Sequence, residues 1–160
     1  MRVVAEVLPV DPAEVAEIAA IVRQADRDEI ERDLETPIEQ ALLDGITGSR
    51  KASKIVCQGL VLAVFGDADC DIAKGLGVPW LISTIHVECF PRAFLAVCKP
   101  EVEEMLARHG ALLNYVSCEN TVAIRWLRWL GFDFHDAEPY GPRDAMFYPF
   151  TMTEAPDVRQ

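Results

Sequence analysis

The sequence predicts an α/β or α+β fold built on a mixed sheet. Three observations carry this. Apolar runs of strand length recur along the chain, separated by segments whose apolar residues fall at helical spacing. Those helical segments open on capping residues and proline. One run, residues 78–87, is apolar almost throughout, as a strand covered on both faces must be. The 160 residues suit one domain, 1–160, and a hydrophobic content of 51% supplies its core.

Residues 1–8 read as a strand, with Val3, Val4, Ala5, Val7 and Leu8 interrupted only by Glu6. A helix start follows: Asp11 can cap, Pro12 fits the first helical position and Glu14 completes a capping box. Val15, Ile18, Ala19 and Val22 continue at helical spacing. The same device returns at Thr36-Pro37-Ile38-Glu39, with Leu42 and Ile46 carrying the second helix and Gly48 stopping it. Two antiparallel strands come next, at about 54–58 and 60–65, with Gly59 as their turn. Asp67, Asp69 and Asp71 then form an acidic triplet. A calcium loop would need glycine and glutamate where Ile72 and Val78 stand, so the triplet reads as a solvated turn.

After the apolar strand at 78–87, Pro91 opens a helix that Pro100 is expected to break or kink, leaving a second piece over 101–109. "ALLNYV" is a strand. Asn120 can cap a helix that ends at Gly131, with Ala123, Leu127 and Leu130 on its core face and Ile124 and Trp126 flanking it. Arg125 and Arg128 leave that face. "AMFYPFTM" closes the fold, and its Pro149 argues for an edge position or a bulge. The tail at 154–160 reads as loose.

The formal net charge is −11, so a DNA backbone would be repelled unless a basic patch compensates, and Arg50-Lys51 with Lys54 is only a small cluster. The charge suits a basic partner such as an amine. No apolar run has the length of a bilayer span, and the N-terminus lacks a signal-peptide pattern, so neither membrane nor nucleic acid is expected as a partner. Five cysteines without a C-x-x-C pair read as reduced packing residues. His86, His109 and His135 lack ligand spacing, so no metal is expected.

Asn120, Ala123, Gly131 and Phe132 resemble the C-terminal signature of GNAT-type N-acetyltransferases, N-x-x-A-x-x-x-Y-x-x-x-G-F. The resemblance implies a GNAT-like mixed, mostly antiparallel sheet of about six to seven strands with a splayed central pair, here 78–87 and 112–116. It implies acetyl-CoA or CoA in the wedge, with the pyrophosphate on the first amides of the intervening helix, a common anion site. The residues it points to for the cofactor are Val87, Cys89, Arg92, Ala93, Phe94 and Asn120. Glu88, His86 and Tyr115 are its catalytic candidates, although each also fits a plain structural role: a solvated strand end, a hydrogen-bonded histidine and a sheet tyrosine. Two departures stand out. "ECFPRAFLAV" has no glycine where the family's phosphate cradle does, and Leu127 occupies the place of the tyrosine that protonates the leaving thiolate.

"FPRAFLAVCKPEVEEML", "LLNYVSCENTVAIRWLRWLGFDFH" and "MFYPFTMT" together resemble the internal virion protein A family of short-tailed phages. That likeness implies a protein of host cytoplasm or virion that supports virion morphogenesis beside other internal virion proteins or a host protein. Its acyl-CoA site would be altered or vestigial. An active N-acetyltransferase acting on a host or phage amine is the alternative. Trp126 and Trp129 are candidates for a protein-docking surface.

Overall fold

The computed structural model describes residues 2–154. The strands are β1 (Glu6–Pro9), β2 (Ser49–Cys57), β3 (Leu60–Asp69), β4 (Gly77–Ser83), β5 (Ala111–Ser117), β6 (Asp133–Phe134), β7 (Glu138–Tyr140) and β8 (Ala145–Thr153). The helices are α1 (Val15–Ala19), α2 (Gln24–Arg27), α3 (Ile38–Gly48), α4 (Pro91–His109) and α5 (Thr121–Leu130). The eight strands form one sheet in the order β1-β2-β3-β4-β5-β8-β6, with β7 also on β8. Every pairing is antiparallel except β4 with β5. The mixed α/β architecture is the expected one, with one or two strands more than anticipated.

Two apolar clusters hold the layers together. On one face Val15, Ile18, Ile38 and Leu42 of α1 and α3 pack on Val64 and Ile82. On the other, Phe94, Cys98 and Met105 of α4 and Leu127 and Leu130 of α5 pack on Ile55, Phe65, Leu112 and Phe150. Ala123, Leu127 and Leu130 do share the buried stripe of α5, while Arg125 and Arg128 are exposed. The capping box at Asp11 and Glu14 is present in full. Gly131 ends α5 at φ +103° and Gly110 ends α4 at φ +87°, conformations that glycine adopts at least cost.

The feature that positions the site is a gap between the central strands. β4 and β5 touch at a single pair, Gly77 with Leu112, and diverge beyond it. One further rung comes from a side chain: Asn114 donates Nδ2–H to Pro79 O at 2.6 Å and accepts the Tyr115 N–H on Oδ1 at 2.8 Å. From there on the two strands have no ladder between them.

Several expectations are corrected. The first strand begins at Glu6 and runs to Pro9. The strand expected over 78–87 stops at Ser83, because the Ile85 and Val87 amides turn to Ile21 O and Thr84 O. α4 runs unbroken through Pro100, which removes one amide donor from a 19-residue helix while both flanking turns stay packed. Asp67 is no solvated turn residue but the fully buried acceptor of Arg108 and His109. Pro149 lies in an interior strand. Register puts its missing N–H on the side away from β5, level with the break between β6 and β7. Thr36 caps nothing, since its hydroxyl donates to Leu34 O. The largest omission is α2 with the wider, π-helical turn that continues it over Asp28–Asp33. Residues 155–160, most of the expected loose tail, lie outside the described residues.

Candidate active site

The gap is lined on both strands by backbone, and register tells which groups face it. Thr84 N–H donates to Leu62 O, which fixes the phase of the β3–β4 ladder and turns the peptide groups of Pro79, Leu81 and Ser83 away from β3. Pro79 has no N–H to lose there, and its carbonyl is taken by Asn114. Ser83 O accepts the Arg23 N–H at 2.9 Å, and Ser83 N–H donates to Asp26 Oδ2 at 2.7 Å. Leu81 is left, with both its N–H and its carbonyl facing the gap.

The segment that follows α1 crosses the wide end of this gap. Asp26 and Glu29 stand one helical turn apart on one side of it and reach one strand each. Asp26 is buried and saturated: Oδ2 accepts from Ser83 N and Oγ (2.7 and 2.6 Å), and Oδ1 from Arg23 (2.9 Å) and, more weakly, Asn120 (3.4 Å). Glu29 accepts the Ser117 N–H of β5 at 2.7 Å on Oε1. Burial pushes its carboxyl up to about 7, and the nearby Asp26 charge adds to that, against the lowering effect of the Ser117 amide and of Asn120 beside it. A carboxyl of that kind is half ionised near neutrality and suited to take a proton from a substrate. Asn120 occupies the N-cap position of α5, yet its side chain makes no cap bond. Oδ1 accepts from Arg23 at 3.2 Å instead, so the expected capping role is replaced by a place in this polar cluster.

A cavity of about 350 Å³ runs along the gap and is lined by residues from both faces of the sheet. Val87, Glu88, Phe94, Tyr115 and Asn120 among the sequence-derived candidates line it. Tyr115 stacks on Tyr140 with ring centroids 4.0 Å apart, and burial, with Glu138 nearby, raises its hydroxyl above the usual phenol range. His86 is not brought to the gap: it lies by Glu14, Ile18 and the β2–β3 turn at Gly59. Cys89 and Arg92 are exposed at the start of α4, and Ala93 is buried there. Leu127, where a proton donor was sought, is core. Trp126 stacks on Phe94 and lines the cavity, whereas Trp129 is exposed under Lys99. On this α4–α5 side, Trp126 Nε1 and Glu101 Oε2 are buried without a nitrogen or oxygen partner among the described residues, with the Cys98 thiol beside Trp126. The N-terminus of α4 has no side-chain cap, so the amides of Arg92 and Ala93 are open to an anion.

Glu29, Asp26, Arg23 and Asn114 were missed from the sequence. The available signal was the spacing Asp26, Glu29, Asp33 on one helical face, three residues after Arg23. Among the described residues no group of histidine, cysteine and carboxylate side chains is placed to hold a metal ion, and no helix is long and apolar enough to cross a membrane.

No protein-family model matches the sequence, and no curated protein does. Solved structures do share its fold. A ribosomal-protein-alanine N-acetyltransferase from Brucella melitensis superposes with a TM-score of 0.70 at 13% identity over 93% of this chain and 99% of that one. Ard1 from Thermoplasma volcanium gives 0.67 at 15%, over 95% and 99%. RimL, a ribosomal L7/L12 alpha-N-protein acetyltransferase in complex with coenzyme A, gives 0.63 at 13%, over 94% of each chain. The chain therefore has a GNAT-like acetyltransferase fold.

Proposed function

We propose that the protein is an acyl-CoA-dependent N-acyltransferase acting on a primary amine. The observation that carries this reading is one arrangement: strands that part beyond Gly77 and Leu112, the open Leu81 peptide inside the gap, and the Glu29 carboxyl at its mouth.

The residues present fit the cofactor. Arg92, with the open amides of Arg92 and Ala93, would hold the pyrophosphate without the family's glycines, since the helix end supplies donors whatever its side chains. Trp126 Nε1, Glu101 Oε2 and the Leu81 carbonyl would meet the polar groups of the pantetheine arm. When bound, acyl-CoA supplies an acyl group activated as a thioester.

The chain's own residues do the rest. Ionised Glu29 takes the proton an amine sheds on attack. The Leu81 N–H donates to the carbonyl oxygen as charge gathers there. Asp26 and Arg23 hold the segment that carries Glu29 against β4. In balance, an N–H and a C–S bond are exchanged for a C–N and an S–H bond. The missing tyrosine is not fatal to this chemistry: a thiol of pKa about 8.5 could leave as thiolate with little help and take up the proton that Glu29 received, directly or through water. The virion-assembly reading draws on the sequence resemblance alone, and the idea of a vestigial site on that resemblance together with the glycine-free cradle and Leu127.

Calorimetry with acetyl-CoA and with CoA tests the proposal. Saturable binding is expected, weakened about tenfold by Arg92→Ala, the size of one charge-assisted hydrogen bond. Absence of binding at millimolar ligand would overturn it.

A further inference from the structure

We propose that the acceptor is a small monoamine on a flat apolar body, an arylalkylamine, rather than a polyamine or a peptide; this rests on the transferase reading above. Three features of the α1–α3 side of the cavity carry it.

The first is charge. Of the carboxyls along the crossing segment, Asp26 is saturated by Ser83, Arg23 and Asn120, and Asp33 is engaged by Arg32 at 2.9 and 3.4 Å. Asp28 and Glu31, which accept from Gln24 and Arg27, are not in the cavity lining, whereas Glu29 is, with one strong bond from Ser117 and capacity to spare. At the reacting end of this chamber one such carboxyl beside the Arg23 guanidinium matches a single amino group, and the guanidinium repels a second cation placed next to it.

The second is the wall. Ile30, Leu34, Ala41, Trp80, Tyr115 and Tyr140 line this side. The flat ones are fixed. Trp80 donates Nε1–H to Ser49 Oγ at 2.7 Å, and its ring lies so close over Gly45 that a Cβ there would meet Cζ2 at 2.7 Å. Tyr115 and Tyr140 are stacked at 17°. Rigid aromatic faces near a proton acceptor suit a planar hydrocarbon ring joined to an amine.

The third is the rim. The turn between β7 and β8 is fastened to the π-helical segment. Gly141 sits where a Cβ would lie 2.8 Å from Leu34 Cδ2, Arg143 donates to Arg32 O at 3.3 Å, and Arg32 pairs with Glu119 at 2.7 Å. These contacts bridge the two elements at the rim, across the path of an extended chain, which needs about 3.3 Å of length per residue and backbone partners along it. The cavity, about 350 Å³ in all, stands at the small end for ligand pockets and holds the thioester arm as well.

The experiment measures binding by calorimetry and thiol release with acetyl-CoA for tryptamine, phenethylamine, ethylamine, spermidine and an alanine-terminated tetrapeptide. Tryptamine and phenethylamine should bind the CoA-loaded protein saturably and be acetylated with kcat/KM about 100-fold above ethylamine, spermidine and the peptide, about the factor that burying one aromatic ring supplies and that the other amines cannot draw on. Ala41→Phe, which fills the chamber, should cut tryptamine binding and turnover at least tenfold more than ethylamine turnover. Should that variant not fold, Leu34→Ala, which frees Gly141 and widens the rim, should raise the peptide rate relative to tryptamine. A preference for spermidine or the peptide, with acetyl-CoA bound and consumed, overturns the arylalkylamine assignment and leaves the transferase standing. No CoA binding and no thiol release with any amine overturns both.

Discussion

Replacing Glu29 with glutamine tests the site through stability and activity at once. The amide is isosteric and keeps an oxygen for the Ser117 N–H, so the fold should be retained. What changes is titration. Holding a carboxyl at about 7 against its ordinary 4.5 disfavours the ionised form in the folded protein by about 3 kcal/mol, at 1.36 kcal/mol per pH unit. The sign follows from proton counts. Between these two pH values the folded state binds more protons at Glu29 than the unfolded state, so this group's contribution to stability falls as pH rises from about 4.5 to 7 and is level outside that window. Glu29→Gln lacks this loss. Urea unfolding at pH 4, 5, 6, 7 and 8 should therefore show the variant gaining on the parent by about 2–3 kcal/mol over the range, a little under the full figure because the cavity admits water. In parallel, kcat/KM of the parent should rise through an apparent pKa near 7, and the variant should lose about 10²–10⁴-fold in rate together with that limb. A stability difference independent of pH, or an unchanged rate profile, would refute the assignment of Glu29.

Asp67→Asn should destabilise by about 3 kcal/mol in urea at pH 7, because Arg108 and His109 keep their place at a buried site without the charge they bind. Asn114→Ala removes the acceptor of the Tyr115 amide, and exchange of that amide should accelerate about tenfold, the worth of one hydrogen bond. Gly45→Ala drives a methyl into the Trp80 ring and should cost about 1–3 kcal/mol, read by denaturation with indole fluorescence as the local probe.

What was legible in the sequence was whatever is decided locally. Apolar periodicity placed β5, α5 and α3, and the chemistry of Asp11, Pro12 and Glu14 fixed the start of the first helical turn. The hairpin was placed at Gly59, and the structure makes it a two-residue turn with Gln58 and Gly59 both at positive φ. The divergence of β4 and β5 could be expected only from a resemblance, because strand pairing is a long-range choice. The polar cluster was illegible for the same reason. Asn120 is a good cap by residue type, but Arg23 and Asp26, almost a hundred positions earlier, offer its amide more than the first turn of α5 does. Asp67 read as solvated because two neighbouring aspartates share its alternation, and nothing local shows that α4 ends with Arg108 and His109 beside it. Short helices such as α2 carry too few turns for a periodic signal, and the π-helical turn disrupts what there is.

The carboxylates also explain how an unpaired gap survives in the middle of a sheet. Two strands without a ladder leave backbone donors exposed, and each buried one costs free energy unless it is met. At the closed end the cost is met by Asn114, whose amide acts as one extra peptide, while behind it Asp67 ties β3 to the last turn of α4 through Arg108 and His109. At the open end Asp26 satisfies Ser83 and Glu29 satisfies Ser117. The two ends differ in kind. Asp67 is saturated by two cationic or imidazole partners. Glu29 has one strong donor and a carboxyl held near 7, so its hold on β5 weakens when it takes up a proton. As the proposed base, Glu29 would couple the proton it accepts to its hold on the strand edge at the mouth of the gap. On that reasoning Glu29→Gln should alter CoA affinity as well as rate, while Asp67→Asn should alter stability and leave the pH dependence of the rate in place.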